Sequence, residues 1–236
     1  MVVKFVGKCL LIEEDKTKVL VVGDIHIGYG VGKEAIGAII NIGLYAEMMK
    51  DLEMVFTKVG EVDKVVLLGD LKHSFTSLET EERHDLVNLF DYLGGKSKEL
   101  VIIKGNHDNY ISSIASKREI KVLDYYLWKE YCFLHGDKDF KEIHSHRINF
   151  WVMGHLHPAI KLREGNKVEK YKCFLTGNFK EKKIIILPGF TEAGEGIDVR
   201  ELDRELPWDF DLGNFEVFVV SGETEALEFG KLKKIK

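Results

Sequence analysis

Short apolar runs alternate with polar or glycine-rich segments along the chain, and their spacing predicts both strands and helices. Two apolar runs at 2–12 and 19–22 flank a charged turn and predict an opening hairpin. Apolar residues at helical spacing predict helices over 43–58 and 77–93. The other predicted elements are strands at 65–68, 100–103, 120–128, 130–134, 149–153, 159–163, 168–176, 183–187 and 215–220, and a short helix at 139–146.

The order of these elements predicts an α/β fold of mixed sheets with helices outside, because strands and helices alternate early and strands alone follow. The 236 residues suffice for a full core, and no repeat, linker or low-complexity segment interrupts them. We therefore expect a single domain over residues 1–236. No apolar run approaches the roughly 18 residues of a membrane span, and no secretory signal is evident. A cytoplasmic protein without a membrane partner is expected.

Charge and cysteine content narrow the function classes. The net charge of −5 argues against a broad electropositive groove for nucleic acid. Residues 190–215 hold eight acidic and two basic side chains, and we expect a solvated surface excursion there, with a functional lid as the alternative. The three cysteines (Cys9, Cys132 and Cys173) are widely spaced and are expected to be buried free thiols.

Polar side chains that can bind metal follow five of the predicted strands. In open α/β sheets, ligands bind outside the carboxyl ends of the strands, so these side chains are expected to converge. Any one of them could be a capped turn or a satisfied core histidine, but so many at successive strand ends are improbable by chance. They are Asp24, His26, Asp70, Asn106, His107, Asp108, His135, His155 and His157.

Imidazole, carboxylate and amide oxygen together suit manganese, iron or zinc better than calcium or magnesium. A single tetrahedral ion does not need so many ligands, so two ions that share a bridging carboxylate are the economical arrangement. The sequence therefore predicts a dinuclear metal site.

In their order along residues 24–157, five short motifs resemble those of the calcineurin-like metallophosphoesterases. The resemblance implies a four-layer α/β/β/α sandwich with two mixed β-sheets, and a metal-dependent phosphoesterase. It also implies two divalent ions, for which manganese is the first expectation and iron, zinc or nickel the alternatives. The motifs are Asp24-Ile25-His26, Gly69-Asp70, Gly105-Asn106-His107-Asp108, His135 and Gly154-His155-Leu156-His157.

Family roles carried over motif by motif assign the predicted ligands. The first ion would be held by Asp24, His26 and His157, the second by Asn106, His135 and His155, with Asp70 bridging the two. His107 would lie over the phosphate, and Asp108 would orient its ring. A positioned imidazole can donate a proton to the leaving oxygen, which typically contributes about 10²–10⁴-fold.

Two longer strings narrow the resemblance. Residues 24–28 and 69–74 are similar to the SbcD-type DNA-repair nucleases and to a smaller, related archaeal and bacterial group that includes ligase-associated DNA damage response endonucleases. The smaller group suits this length, because the residues after 158 are predicted to be strands of the core sheet and no capping domain is expected among them. The resemblance implies a phosphodiesterase that acts as a nuclease on single-stranded or short DNA. A homodimer is a further possibility for the oligomeric state. His73 is then either a phosphate contact or a residue outside the site.

Two other function classes stay open. A phosphomonoesterase or small-nucleotide phosphodiesterase is suggested by the acidic net charge and by the lack of interleaved basic and aromatic residues. A non-catalytic scaffold that binds protein partners is the third hypothesis, although all seven predicted ligands are present. A phosphate-loop interpretation of residues 28–33 is rejected, because glycine and Ser/Thr are missing at the required positions. His84, His144 and His146 are expected at the surface.

Overall fold

The computed structural model describes residues 1–28, 43–73, 80–191, 194–201 and 206–235, and two mixed β-sheets form its centre. In the first sheet the strands lie in chain order. The first three are antiparallel and the last four are parallel, so several strands end at the same edge. These strands are β1 (Val2–Val6), β2 (Cys9–Glu14), β3 (Thr17–Val22), β4 (Val62–Leu67), β5 (Ser97–Ile103) and β6 (Lys121–Leu123).

The second sheet begins with β7 (Tyr125–Trp128), β8 (Tyr131–Leu134), β9 (Phe150–Met153), β10 (Pro158–Glu164) and β11 (Lys167–Phe179). It is completed by β12 (Lys182–Ile186), β13 (Ile197–Asp198), β14 (Glu216–Ser221) and β15 (Glu225–Lys231). Its order is β13-β10-β11-β12-β9-β8-β7, and β14 pairs with both β11 and β15. Since β8, β9 and β12 are parallel neighbours, their carboxyl ends also share one edge.

Side-chain alternation along the strands separates three apolar layers. Within β3, Leu20 packs with the helices α1 (Leu44–Val59), α2 (Thr80–Lys96) and α3 (Ile111–Ala115), whereas Val21 packs between the two sheets. The outer face of the second sheet packs against short 3₁₀ segments and irregular chain, including Ile143 and Trp208. The predicted α/β sandwich with two mixed sheets is confirmed.

Two predicted strands are each divided in two. The expected strand at 2–12 turns at Gly7, whose φ is 57° and whose added Cβ would lie 2.4 Å from the carbonyl oxygen of Glu223. The expected strand at 120–128 breaks at Asp124, because β6 pairs with the first sheet and β7 with the second. An apolar run does not reveal a change of partner, so the sequence predicts each as one strand.

Other expectations have simple outcomes. His84, His144 and His146 are exposed, as predicted, and the three cysteines are buried and free. Residues 29–33 and 74–79 lie outside the described ranges, so most of the rejected phosphate-loop segment and the predicted start of α2 are not described. Among the described helices, none has the length and apolar character needed to cross a membrane.

The acidic segment at 190–215 is partly built into the fold, which corrects the expectation of a wholly solvated excursion. Asp198 is only 2% exposed and lies in β13, which pairs with β10. Its carboxylate accepts hydrogen bonds from the backbone N–H groups of Lys161 and Arg200, each at 3.0 Å, and pairs with the Arg200 guanidinium at 2.8 Å. Burial alone would raise the pKa of Asp198, but these hydrogen bonds and the guanidinium lower it to about 2.

Asp198→Asn is expected to lower the free energy of unfolding by roughly 2 kcal/mol at pH 7, since one pKa unit corresponds to about 1.4 kcal/mol. The folded carboxylate has the lower pKa, so its contribution is complete above its ordinary pKa of 3.8 and is lost as the pH falls toward 2. Urea unfolding between pH 7 and pH 3 measures this. Glu201→Gln is the control, because Glu201 forms an exposed ion pair with Lys161 that is worth little. Equal stability of Asp198→Asn and wild type at pH 7 would contradict the assignment.

Candidate metal centre

The carboxyl ends of five strands deliver the predicted ligands to one place between the two sheets. Asp24 and His26 follow β3, and Asp70 follows β4. From the second sheet, the loops after β8 and β9 reach the same place. They supply His135, His155 and His157, while Asn106 and His107 follow β5. All seven predicted metal ligands therefore lie on loops at sheet edges, as the sequence predicts.

Asp24, His26 and His157 form a first donor group, in which one ligand atom from each lies within 4.8 Å of the others. The Nε2 atoms of His26 and His157 are 3.2 Å apart, and His157 Nε2 is 3.4 Å from Asp24 Oδ1. Asp24 is fully buried and His26 nearly so. Two imidazole nitrogens and a carboxylate oxygen that point at a common centre are the donors that a divalent transition metal prefers.

Asp70, Asn106, His135 and His155 form a second donor group. Asp70, His135 and His155 also lie within 4.8 Å of one another. The Nε2 of His135 is 3.0 Å from Asn106 Oδ1 and 3.1 Å from His155 Nδ1. The second group thus places one carboxylate, one amide oxygen and two imidazoles together.

Asp70 lies between the two groups. Its Oδ2 atom is 3.8 Å from His26 Nε2 in the first group and 3.5 Å from His135 Nε2 in the second. Its Oδ1 accepts a hydrogen bond from the backbone N–H of His107 at 2.9 Å, which fixes the carboxylate plane. One oxygen of Asp70 consequently faces both groups, which is the position that a bridging carboxylate requires.

Backbone contacts orient the His135 ring and the loop after β9. His135 Nδ1 lies 2.8 Å from the carbonyl oxygen of Leu68, which can only accept, so Nδ1 carries the hydrogen and Nε2 keeps its lone pair for the centre. The backbone N–H of His155 donates to Asp24 Oδ2 at 3.0 Å, which ties the loop after β9 to the first group. Sequence patterns could not reveal that the Leu68 carbonyl orients His135, because every residue has a backbone carbonyl.

His107 is oriented differently from the expectation. Its Nδ1 donates to the carbonyl oxygen of His73 at 2.7 Å, which leaves Nε2 facing Asp70 Oδ2 at 3.8 Å. Asp108 does not orient the ring, since its two carboxylate oxygens accept the backbone N–H groups of Leu71 at 2.8 Å and Gly105 at 2.9 Å. The expected role of Asp108 is corrected to that of joining the loops after β4 and β5.

His73 lies beside the predicted metal ligands. Its ring centroid is 5.6 Å from that of His26 and 5.8 Å from that of His107, and the three imidazoles form a third group of nitrogens within 4.8 Å of one another. Of the two positions that the sequence leaves open for His73, the structure therefore shows the one within the site.

Four of the predicted ligands have a left-handed backbone, which the sequence did not indicate. Their φ angles lie between 46° and 67°, a region that residues with a Cβ rarely adopt. Such strain persists where the surrounding fold enforces it, and it concentrates at functional sites. The four residues are His26, Asp70, His155 and His157.

Two glycines are required by close approach to the carboxylates. A Cβ added to Gly105 would lie 2.3 Å from Asp70 Oδ1, and one added to Gly154 would lie 2.4 Å from Asp24 Oδ2. The sequence alone predicts only that these glycines let the backbone turn. Their contacts show in addition that the two carboxylates pack directly against glycine backbone, where a side chain would not fit.

Burial and mutual charge set the protonation of the donors. Burial lowers the pKa of His26 to about 3, against the attraction of Asp24, so this imidazole is neutral and keeps a lone pair. Burial also raises the pKa of Asp70 to about 6, with His135 opposing the shift. For Asp24, burial alone would raise the pKa, but His157, His135 and His26 together lower it. Burial alone would lower the pKa of His135, but Asp24 and Asp70 together raise it. A neutral His26 imidazole beside the Asp24 carboxylate fits a divalent cation.

The family of the chain is shown by comparison with known proteins. A family model described as calcineurin-like phosphoesterase matches residues 17–222. The chain belongs to this family. As a calcineurin-like phosphoesterase it is a metal-dependent phosphoesterase, and its His/Asp groups have the side chains that could hold divalent metal ions. The predicted family is confirmed.

Two solved structures are similar to this calcineurin-like phosphoesterase. The nuclease MPE of Pseudomonas putida matches with a TM-score of 0.62 and 17% identity, over 93% of this chain and 100% of that one. Vacuolar Protein Sorting 29 from Cryptosporidium parvum matches with a TM-score of 0.43 and 16% identity, over 90% of this chain and 97% of that one. No curated protein matches the sequence significantly. At such identities the first likeness supports the fold alone.

Proposed function

We propose that this phosphoesterase is a two-metal phosphodiesterase that cleaves single-stranded or short DNA. The observation that supports it most directly is the pair of imidazoles, His73 and His107, beside the two donor groups. The similarity of residues 24–28 and 69–74 to the SbcD-related group, and the nuclease among the structural relatives, agree with it.

In this proposal the first donor group would hold one ion, the second would hold another, and Asp70 would be shared by both. Manganese is the proposed metal, with iron, zinc or nickel as alternatives, because imidazole, carboxylate and amide oxygen are all present. When bound, two divalent cations would supply a nucleophile at neutral pH and neutralise the charge that builds up on the phosphate.

The protein's own groups then bind the substrate and move protons. The His73 carbonyl fixes the His107 ring through Nδ1, so Nε2 is the atom that donates a proton to the leaving oxygen. The His73 imidazole, next to His107, contacts the phosphodiester. With Nδ1 bonded to a carbonyl, the His107 ring that donates from Nε2 is the cationic imidazolium. A diester carries a single negative charge, so neutral or cationic histidine donors and the metals suffice to hold it.

Substrate preference tests the proposal. The full chain with Mn²⁺ is expected to cleave single-stranded oligonucleotides and a nitrophenyl diester of thymidine 5′-phosphate faster than nitrophenyl phosphate, a monoester. His73→Ala is expected to lower diester turnover by about 10²–10³-fold, the range typical of losing one donor to the charge that develops on the reacting group. His84→Ala, an exposed histidine on α2, is the matched control and should leave both rates unchanged.

The acidic net charge of −5 favours a second candidate, a phosphomonoesterase or small-nucleotide phosphodiesterase. Turnover of the monoester or of the small nitrophenyl diester, with no cleavage of any oligonucleotide, would replace the DNA proposal by this one. The same preparation separates the two, because both require the ions and only the preferred ester differs.

A further inference from the structure

The wall of the first donor group beside His157 is made of backbone. Gly189 packs against the His157 ring, since a Cβ added to Gly189 would lie 3.4 Å from His157 Cγ. The next residue, Phe190, donates its backbone N–H to the carbonyl oxygen of Asp24 at 2.7 Å. Residues 189 and 190 therefore contact two of the three members of the first donor group, one through its ring and one through its main chain.

A partly buried lysine holds this wall from behind. Lys172 lies on β11, and its ammonium donates to the carbonyl oxygen of Gly189 at 3.0 Å and to that of Thr191. The Gly189 carbonyl belongs to the same peptide group as the Phe190 N–H, so Lys172 holds the peptide that bonds to Asp24 directly, and through the Thr191 carbonyl it also holds the chain just beyond Phe190. Hydrogen bonds from a charged donor are roughly twice as strong as neutral ones, which suits an anchor.

The strand that carries Lys172 also holds the other side of His157. In the register of β10 and β11, Lys172 is opposite Ala159, two residues after His157. The main chain of His157 is tied by its carbonyl, which accepts the N–H of Ile197 at 2.9 Å. His157 is thus fixed at its backbone by β10 and β13, while its imidazole rests on the wall that Lys172 anchors.

We propose that Lys172 is a positioning residue for the first metal: it holds the 189–191 wall and thereby sets where Asp24 and the His157 imidazole meet the ion. The inference rests on the proposed function, because it needs an ion in the first donor group. It assigns Lys172 no contact with substrate. Groups that orient metal ligands typically change metal affinity by about 10–100-fold when they are removed.

The inference is tested by titrating the metal-free full chain with Mn²⁺. Calorimetry measures the affinity of each site, and electron paramagnetic resonance detects the spin coupling between two neighbouring Mn²⁺ ions. Wild type is expected to bind two ions and show the coupled signal. Lys172→Met is expected to weaken one site by about 10–100-fold, as His157→Ala does, and to lose the coupled signal at low Mn²⁺ while keeping the other site. Lys172→Arg, which keeps donors for the carbonyls, is expected to retain both sites.

Lys182→Met is the matched control. Lys182 is a buried lysine whose ammonium also donates to two carbonyls, those of Ser145 and Ile148, neither of which belongs to a donor group. It should keep both sites at wild-type affinity even if it melts earlier. Weakening of a site by Lys182→Met as large as that by Lys172→Met would overturn the positioning role and leave only general stability.

Two sites of wild-type affinity in folded Lys172→Met would overturn the inference and leave the proposed function intact. A wild-type protein that does not bind two ions would overturn both. If Lys172→Met does not fold, Lys172→Gln takes its place under the same criteria, because its shorter amide keeps the position polar without spanning to both carbonyls.

Discussion

His107→Ala is expected to lower kcat by about 10²–10⁴-fold while the protein still binds two metal ions, because a positioned proton donor contributes that much. The His107 ring lies beside the predicted ligands, with Nε2 at 3.8 Å from Asp70 Oδ2 and its centroid at 5.1 Å from that of His26, whereas the contact with Asp70 Oδ1 is made by the backbone N–H. An alanine keeps that backbone donor, so Asp70 should stay in place. Rates with saturating Mn²⁺ and metal content by mass spectrometry measure the two effects.

The control for His107 is His144→Ala, which removes an exposed imidazole that bonds to Asp139 at 2.7 Å and is not one of the predicted ligands. It should retain wild-type kcat and both ions. Loss of a metal ion in His107→Ala would contradict the assigned role, because it would make the imidazole a ligand. A less basic leaving group should restore part of the rate to His107→Ala, as it needs less proton donation.

Removal of the shared carboxylate is the second change with a large expected effect. Asp70→Ala and Asp70→Asn are both expected to weaken metal binding at both sites by more than about 100-fold, since even groups that only orient ligands cost roughly 10–100-fold. Oδ2 of Asp70 faces His26 and His135, one in each donor group, so its loss affects both. Activity at micromolar Mn²⁺ should fall to background, and calorimetric titration reports the affinities.

Asp70→Asn separates metal binding from backbone strain. The φ of Asp70 is 48°, which asparagine tolerates better than alanine does, and an amide oxygen can still accept the N–H of His107. Asp63→Ala, on the same strand β4, is the control and should keep both ions, because Asp63 contacts Lys18 and Lys98 instead. An Asp70→Asn protein that still holds two ions tightly would sink the bridging assignment.

The site shows where sequence reasoning succeeds. The predicted ligands lie in short motifs that each follow an apolar run. The motifs and the apolar runs are both local features of the sequence, because a buried strand needs several apolar residues in succession. Because strand ends gather at sheet edges, the motifs had to converge, and the donor groups around His26 and His135 do so. For His73 the sequence left two positions open, and its place beside His107 comes from the structure.

The same site shows where it fails. The sequence assigns the Asp108 side chain to the His107 ring, but Asp108 accepts backbone N–H groups, and the carbonyl of His73 holds the ring instead. Lys172, which anchors the Gly189 carbonyl, belongs to no motif. Likewise, Asp198 resembles the solvated acids around it in the sequence, although it is buried against Arg200. In each case the partner is a main-chain atom or the burial depends on distant strands, so no local pattern could indicate it.

By itself, the sequence determined the family, the α/β class and the side chains available for metal binding, because those depend on residue identity and on short-range periodicity. Only the tertiary structure decided that Asp70 faces both donor groups, that four predicted ligands adopt left-handed backbone, and that the Asp108 and Lys172 side chains bond to backbone groups of loops. Those features depend on how the two sheets pack and on which backbone carbonyl and N–H groups this packing brings next to a side chain. Almost every residue type supplies the same backbone groups, so the sequence does not show which of them will be used.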